Sequence, residues 1–357
     1  MKQICVILLA LTVLAFFTSV HAQSDAPLVI VMKADGPIIP VMEDYIKRGI
    51  LTAEQRNAEA LIIELNTPGG QITTMKNIIA EIRASDVPVI VYVSPRGAWA
   101  ASAGALITMS GHASAMAPET SIGAASPVGG SGEDLGDTMK AKEMEALKAI
   151  VRTLTERRGE KAVELAESMI DNAKAVTVGE AIESGLVDFV ATDLDDLLNK
   201  LDGFLVETDT NEIVLHTRDA QTQPLNLNFI EQLLFLLTDP NIVFLLLAIG
   251  VQAILIEISS PGGWVAGFIG VVCLTLAIYV MGVLPVNWFG GIFLITAFVL
   301  FILDIKAPTH GALTAAGVAS FIVGALVLFN SPGTPQFQRV SVPLVVGMGV
   351  FLGLLFF

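Results

Sequence analysis

A serine in a tract of very small residues has the clearest chemical potential in this chain. Ser102 lies within Gly97-Ala-Trp-Ala-Ala-Ser-Ala-Gly104, and small neighbours let a substrate backbone come close to its hydroxyl. An earlier turn, Asn66-Thr-Pro-Gly-Gly70, offers the N–H groups of Gly69 and Gly70 without side chains, as an oxyanion hole requires. This combination predicts a serine nucleophile that attacks a carbonyl group.

The surrounding elements must bring the turn and the serine together. Apolar runs at 27–31, 60–65 and 87–93 alternate with amphipathic stretches at 38–50 and 73–82, which favours a parallel sheet with helical crossovers. The turn and Ser102 both follow carboxyl ends of such strands, where ligands of these sheets bind. A short helix predicted over 101–109 opens at Ser102, so its dipole favours a developing oxyanion. A second glycine-rich loop, Pro127-Val-Gly-Gly130, is placed to border the same pocket.

Composition divides the chain into an acidic front part and an apolar back part. The 357 residues are 53% hydrophobic and 15% charged, with a formal net charge of −15. Only six charged residues lie between Glu231 and Phe357. Nucleic acid is excluded as a partner, because phosphate binding requires a basic surface.

The first 22 residues have the layout of a signal peptide, with Lys2 before an apolar core and a small-residue cleavage site at Val20-His-Ala22. We expect an α/β domain at 24–205, a hairpin and linker at 206–228, and a membrane domain with four to five transmembrane helices at 229–357. The apolar spans predict a multi-pass membrane protein, and the signal peptide places the α/β domain on the exported side of the cell membrane. The predicted spans are 241–258, 264–283, 287–305, 311–329 and 342–357.

A serine nucleophile needs a general base, and histidines are scarce. His112 follows Ser102 by only ten residues, so we expect a structural role for it. A lysine is the alternative, provided that burial lowers its pKa. The helix predicted over 140–157 carries Lys140, Lys142, Lys148 and Arg152.

Four ordered motifs carry a resemblance to a known family. They are Asn66-Thr-Pro-Gly-Gly70, Gly97 to Gly104, Ala117-Pro-Glu-Thr-Ser-Ile-Gly-Ala-Ala-Ser-Pro-Val128 and Thr177-Val-Gly-Glu-Ala-Ile-Glu-Ser-Gly-Leu-Val-Asp188. Together they resemble the NfeD-type membrane-bound serine proteases of the ClpP class. The resemblance implies an α/β ClpP/crotonase-like exported domain, followed by an all-α multi-span membrane bundle, and a homodimer. Relatives also carry a C-terminal OB-like domain, which we expect this sequence to lack.

The same resemblance implies a Ser-Lys dyad, with Ser102 as nucleophile and with Gly69, Gly70 and Ala103 supplying oxyanion N–H groups. The lysine of archaeal members is placed in a segment matching Ile150-Val-Arg-Thr-Leu154. Arg152 then occupies the lysine position, although an arginine stays protonated and is a poor base. Lys148, one turn earlier, is our first alternative, and Lys142 is the second.

Two functions follow from these alternatives. The first is a membrane-anchored serine endopeptidase that cleaves apolar, membrane-proximal peptide segments of a stomatin- or flotillin-like protein. The second is a non-catalytic peptide-binding scaffold that organises a membrane complex with such a partner, because the dyad is broken at Arg152.

An acyl-CoA hydratase is disfavoured, since no acidic residue except Asp86 lies between Ile82 and His112. No His, Cys, Asp or Glu cluster has metal-ligand spacing, and no cofactor is implied.

Overall fold

The computed structural model describes residues 26–128, 136–260, 262–282, 286–306, 309–330 and 339–356. The predicted signal peptide at 1–22 and the glycines of the second glycine-rich loop lie outside these residues.

The α/β domain is built on a six-stranded sheet in which every neighbouring pair is parallel, in the order β11-β1-β2-β3-β5-β8. The central strand, Val-Ile-Val-Tyr-Val, is buried at all five positions, as expected for a parallel sheet that is covered on both faces. The predicted alternation of strands and helices is therefore confirmed. The strands are β1 (Leu28–Asp35), β2 (Ala60–Asn66), β3 (Val89–Val93), β5 (Ala113–Met116), β8 (Phe189–Val190) and β11 (Gln221–Leu225).

Helices cover both faces of this sheet. Six of them, together with a small second sheet of order β4-β6-β7, contribute to one core, and the helix at 194–201 packs with residues 204–215 against the opposite face. The small sheet contains β4 (Trp99–Ala101), β6 (Ser121–Gly123) and β7 (Ala175–Thr177). The helices are α1 (Pro40–Gln55), α2 (Ile72–Ala84), α3 (Ala103–Ser110), α4 (Asp137–Thr155), α5 (Glu160–Asp171), α6 (Val178–Glu183) and α7 (Leu194–Leu201).

The segment at 206–228, predicted to be a hairpin and linker, is in part a structural element of the domain. Strands β9 (Leu205–Glu207) and β10 (Glu212–Val214) form the expected hairpin. Gln221–Leu225, however, is β11, which pairs in parallel with β1 at the edge of the main sheet. The linker prediction is wrong there, because an exposed edge strand is polar and tolerates Pro224, and so has the composition of a linker.

The C-terminal part is helical. An amphipathic helix, α8 (Phe229–Leu237), precedes α9 (Pro240–Ser259), α10 (Val265–Met281), α11 (Trp288–Lys306), α12 (Ala312–Phe329) and α13 (Val342–Phe356). Among the described residues, α9, α11 and α12 are long and apolar enough to cross a membrane, and α10 and the apolar part of α13 are shorter. Small residues allow close helix contact: a Cβ on Gly290 of α11 would lie 2.3 Å from the Leu328 nitrogen of α12. The predicted class, an α/β domain followed by a helical membrane bundle, is confirmed.

His112 lies directly before β5, next to the first residue of β3, where it is 1% exposed. Its Nδ1 accepts a hydrogen bond from the Val89 N–H at 3.0 Å. Burial, followed by the positive charges of Arg83 and Arg157, lowers the pKa of His112 from 6.5 to about 4. The neutral ring thus holds β3 to the chain that enters β5, in agreement with the structural role expected for it.

This depressed pKa predicts that the α/β domain loses stability on acidification. Between pH 6.5 and pH 4 the unfolded state binds a proton at His112 that the folded state does not, so the free energy of unfolding falls as the pH falls. From pH 7 to pH 4 we expect wild type to lose about 3 kcal/mol more than His112→Gln, at 1.36 kcal/mol for each pKa unit. Denaturant titrations of the full chain in detergent at the two pH values measure this difference. The exposed His216→Gln is the control and should behave as wild type; an equal loss in His112→Gln would contradict the assignment.

Candidate active site

The turn after β2 is held by backbone hydrogen bonds on two sides. On one side the Thr67 N–H donates to the Trp99 carbonyl at 2.7 Å and the Ala101 N–H donates to the Thr67 carbonyl at 3.0 Å. On the other side the Ile38 N–H donates to the Gly69 carbonyl at 2.8 Å. The turn is thereby fixed between the chain that leaves β1 and the strand that carries the serine tract.

The turn requires glycine at both position 69 and position 70. Gly69 has φ +106°, and a Cβ there would lie 2.6 Å from the Ser102 Cβ and 3.2 Å from its Oγ. At Gly70 a Cβ would lie 2.1 Å from the Ile38 carbonyl oxygen. A larger residue at 69 would push the turn away from Ser102, and one at 70 would push it away from Ile38, so the Gly-Gly pair sets how closely the turn approaches both segments.

Ser102 itself has a strained backbone. Its φ of 53° and ψ of −117° are uncommon for a residue with a side chain, and such strain persists chiefly where a site needs it. The Ser102 N–H donates to the Gly123 carbonyl at 2.8 Å, and α3 begins at the next residue. The serine therefore sits on a sharp strand-to-helix turn, with its side chain partly exposed at the helix N-terminus.

The structure brings Ser102, Gly70 and Ala103 together at one small pocket, whose other lining residues are Ile72, Met75, Leu106, Ala125, Ser126, Pro127, Val128 and Leu147. In the described part of the chain no acceptor is bound to the N–H of Gly70 or of Ala103. Gly69 differs, because its N–H donates to the Thr67 Oγ1 at 3.1 Å. Geometry thus leaves two of the three predicted oxyanion donors available and gives Gly69 a packing role. Thr67, which the sequence reasoning missed, has no signal beyond its place in the turn motif.

Two of the three predicted bases are engaged in ion pairs. The Lys148 Nζ lies 2.8 Å from the Asp171 Oδ1 and 3.4 Å from the Glu145 Oε1. The hydrogen bond that Lys148 donates to Asp171, aided by the one to Glu145, raises the pKa of Lys148, which is the wrong direction for a base at neutral pH.

Arg152 pairs with Glu167. Lys142 is exposed in a shallow groove near the start of α4, beside Asp137 and Glu145. Among the described side chains none is hydrogen-bonded to the Ser102 hydroxyl. No group of three or more His, Cys, Asp or Glu residues in the described ranges could hold a metal ion.

The fold and this pocket define a class: an α/β domain joined to apolar membrane helices, with a serine on a strained turn beside backbone N–H groups that no described residue accepts from. Residues 29–209 match the family described as NfeD1b, N-terminal domain, and residues 241–357 match the NfeD integral membrane domain. The chain belongs to the NfeD family. The family resemblance stated from the sequence motifs is thereby confirmed.

Curated relatives and solved structures agree with this assignment. The chain is 37% identical over 328 residues to membrane-bound protease PH1510 of Pyrococcus horikoshii, covering 91% of this chain and 74% of that protein. It is 28% identical over 346 residues to membrane protein NfeD1b of Bacillus subtilis, covering 92% and 72%.

The α/β domain is similar to structures of 1510-N, a membrane-bound stomatin-specific protease. A lysine-to-alanine mutant in complex with a substrate peptide matches with TM-score 0.56 and 34% identity, covering 60% of this chain and 99% of that chain. A serine-to-alanine mutant matches with TM-score 0.54 and 34% identity, covering 57% and 99%.

The contact between Gly69 and Ser102 yields a prediction. In Gly69→Ala the added Cβ must push the serine away, so we expect labelling of Ser102 by a fluorophosphonate to slow by about a hundredfold, the cost typical of a misplacement near 1 Å. Gly97→Ala is the matched control, because Gly97 also has positive φ but no atom within 4 Å of its would-be Cβ. Labelling rates of the purified full chain in detergent measure the effect. Equal slowing in both variants would point to backbone strain rather than the contact.

Proposed function

We propose that this protein is a membrane-anchored serine endopeptidase with Ser102 as nucleophile and a lysine as general base. The observation that carries the proposal is the strained Ser102 at a helix N-terminus, at a pocket where the N–H groups of Gly70 and Ala103 have no acceptor among the described residues. This arrangement suits acyl transfer, because the donors stand ready for the oxyanion of a tetrahedral intermediate. Similarity to a membrane-bound protease supports the same reading.

Lys142 is the base that we now favour, in place of Lys148. In 1510-N the substituted serine is at position 97 and the substituted lysine at position 138 of that chain. Lys142 follows Ser102 at nearly the same interval, whereas Lys148 and Arg152 lie further along. Both of these are also held in ion pairs, which supports the choice.

Lys142 must move to act. It lies five residues before Leu147, whose side chain lines the pocket, and that interval places the two on different faces of α4. Lys140, seven residues before Leu147, shares the pocket face and is the second candidate. We propose that substrate binding reorders the start of α4, which brings a lysine to Ser102 and removes it from water; burial then favours the neutral amine.

The chemical steps follow from these roles. The neutral lysine amine takes the proton of the Ser102 hydroxyl as Oγ bonds to the scissile carbonyl carbon, and the negative charge that develops on the carbonyl oxygen is held by the Gly70 and Ala103 N–H groups. The protonated lysine then donates to the departing amine as the C–N bond breaks. Water repeats the sequence on the acyl-enzyme and releases the acid and the free serine.

The pocket chemistry supports apolar substrates. Ile72, Met75, Leu106 and Leu147 contribute apolar side chains to its wall, so an apolar substrate side chain that enters is removed from water. We propose that the substrates are apolar, membrane-proximal segments on the exported side of the membrane. A stomatin-like protein is the proposed partner, since 1510-N is described as stomatin-specific.

A peptide-binding scaffold remains the second candidate. It is favoured by one observation: within the described residues the Ser102 hydroxyl has no side-chain hydrogen-bond partner, and Lys148 and Arg152 are both paired elsewhere. In that case Ser102→Ala would leave partner binding and biological function unchanged.

Hydrolysis of an apolar fluorogenic peptide by the purified full chain tests the dyad. Ser102→Ala should abolish turnover, and Lys142→Ala should lower kcat by about 10²–10⁴-fold, the usual contribution of a general base. Lys148→Ala should stay within a few-fold of wild type, because its ion pair with Asp171 lies outside the chemistry. Ser126→Ala removes the other hydroxyl of the same pocket and should retain covalent labelling by a fluorophosphonate.

Each contrary result has a defined meaning. Loss of turnover in Lys140→Ala with retention in Lys142→Ala would move the base to Lys140. A folded wild-type chain that neither reacts with the fluorophosphonate nor cleaves any apolar peptide would favour the scaffold.

A further inference from the structure

The amphipathic helix α8 connects the α/β domain to the first membrane helix. It opens with a capping box, in which the Glu231 N–H donates to Asn228 Oδ1 at 2.9 Å and the Asn228 N–H donates to Glu231 Oε2 at 2.8 Å. It ends at Leu237, and α9 begins at Pro240 after only Thr238 and Asp239. This short connection keeps α8 at the level where the chain enters the membrane.

The inner face of α8 is bound to the α/β domain by a partly buried ion pair. Arg48 of α1 donates from Nε to Glu231 Oε1 at 2.7 Å and from Nη2 to Glu231 Oε2 at 2.6 Å. Its Nη2 also donates to the Asn226 carbonyl at 2.8 Å. Burial raises the pKa of Glu231, but the hydrogen bonds from Arg48 and from the Asn228 N–H outweigh burial and lower it. The pair is therefore charged at neutral pH and bidentate, the most directional form of such a contact.

The same face of α8 contacts the segment that is hydrogen-bonded to the turn at 66–70. Leu234 and Phe235 pack against the domain core, and the Phe235 Cζ lies 2.9 Å from the point where Gly36 would carry a Cβ. The Gly36 N–H donates to the Asn66 carbonyl at 2.9 Å, directly before the turn at 66–70. Helix α8 thus rests on the segment that holds this turn.

The outer face of α8 is apolar and uncovered. Phe229, Ile230, Leu233 and Leu236 are 78%, 66%, 44% and 55% exposed. They cluster on the side of the helix away from Glu231, which is the pattern of a helix lying in the plane of a lipid interface. Lipid is the occupant that we choose, because this face is continuous with α9, a helix long and apolar enough to span a membrane.

We propose that α8 lies in the lipid–water interface with Phe229, Ile230, Leu233 and Leu236 in contact with lipid, and that its ion pair with Arg48 fixes the orientation of the α/β domain to the bilayer. The Ser102 pocket is then held at a set height above the membrane surface. The placement of α8 goes beyond the proposed protease activity and does not depend on it.

Depth measurements on the full chain in lipid nanodiscs test the lipid contact. A Ser102→Ala background with Cys5 and Cys273 replaced by serine leaves no other cysteine, so Leu233→Cys can be labelled with an environment-sensitive fluorophore. Nitroxide groups placed shallow in the acyl chains should quench this label several-fold more strongly than one at Asn199→Cys. Asn199 is the matched control, because it is exposed on α7, on the opposite face of the sheet.

Two results would overturn the lipid contact. Equal quenching at positions 233 and 199 would show that the face does not meet lipid. Protection of the label at position 233 from both lipid nitroxides and aqueous iodide would show that a protein, or a second copy of this chain, covers it.

Charge reversal tests the ion pair in the same nanodiscs. Nitroxides at positions 199 and 233 should give a narrow distance distribution, which Arg48→Glu or Glu231→Arg should broaden and the double reversal should narrow again. Lys47→Glu is the matched control, since Lys47 neighbours Arg48 but pairs with Glu81 at the surface. Unchanged distributions in both single reversals would overturn the orienting role, and because Ser102 is absent throughout, neither outcome depends on proteolysis.

Discussion

The geometry of the pocket depends on the way in which the turn at 66–70 is bonded between two other segments. Hydrogen bonds to Ile38 on one side and to the strand at 99–101 on the other fix the turn in position, and glycine at 69 lets it touch Ser102. Because the turn and the serine follow different strands, only the parallel sheet can bring them together. The strained backbone of Ser102 is maintained by the same contacts.

The acidic side chains near α4 bear on the choice of base in the proposed mechanism. Carboxylates surround α4, and two of its basic side chains, Lys148 and Arg152, are bound by Asp171, Glu145 and Glu167. A lysine so paired is stabilised in its charged form, whereas a general base must be neutral. The ion pairs on this helix therefore anchor α4 to α5, and Lys148 so paired does not suit the role of general base in the proposed dyad.

A strand and a helix, rather than a flexible linker, connect the α/β domain to the membrane part. The strand β11 extends the main sheet to residue 225, and α8 follows almost at once with its inner face on α1. Few residues between the two parts lie outside these elements. A flexible linker of the kind predicted from composition would have allowed the α/β domain to tilt freely.

Much of this architecture was determined by the sequence alone. Apolar runs, helical periodicity and the long apolar segments gave the α/β class and the membrane helices, because burial in a sheet or in lipid leaves a direct mark on composition. The small-residue tract and the Pro-Gly-Gly turn predicted Ser102 as a nucleophile with neighbouring oxyanion donors, since close backbone approach demands glycine and alanine.

Tertiary structure decided the rest. Three findings depend on partners distant in the chain or on side-chain geometry. The Gly69 N–H donates to Thr67, Lys148 pairs with Asp171, and the polar segment at 221–225 is an edge strand. The amino-acid pattern around one position does not reveal contacts with residues that are distant in the sequence. The proposed choice among the lysines of α4 also depends on tertiary structure, because it rests on helix phase and on which carboxylates the fold brings within reach.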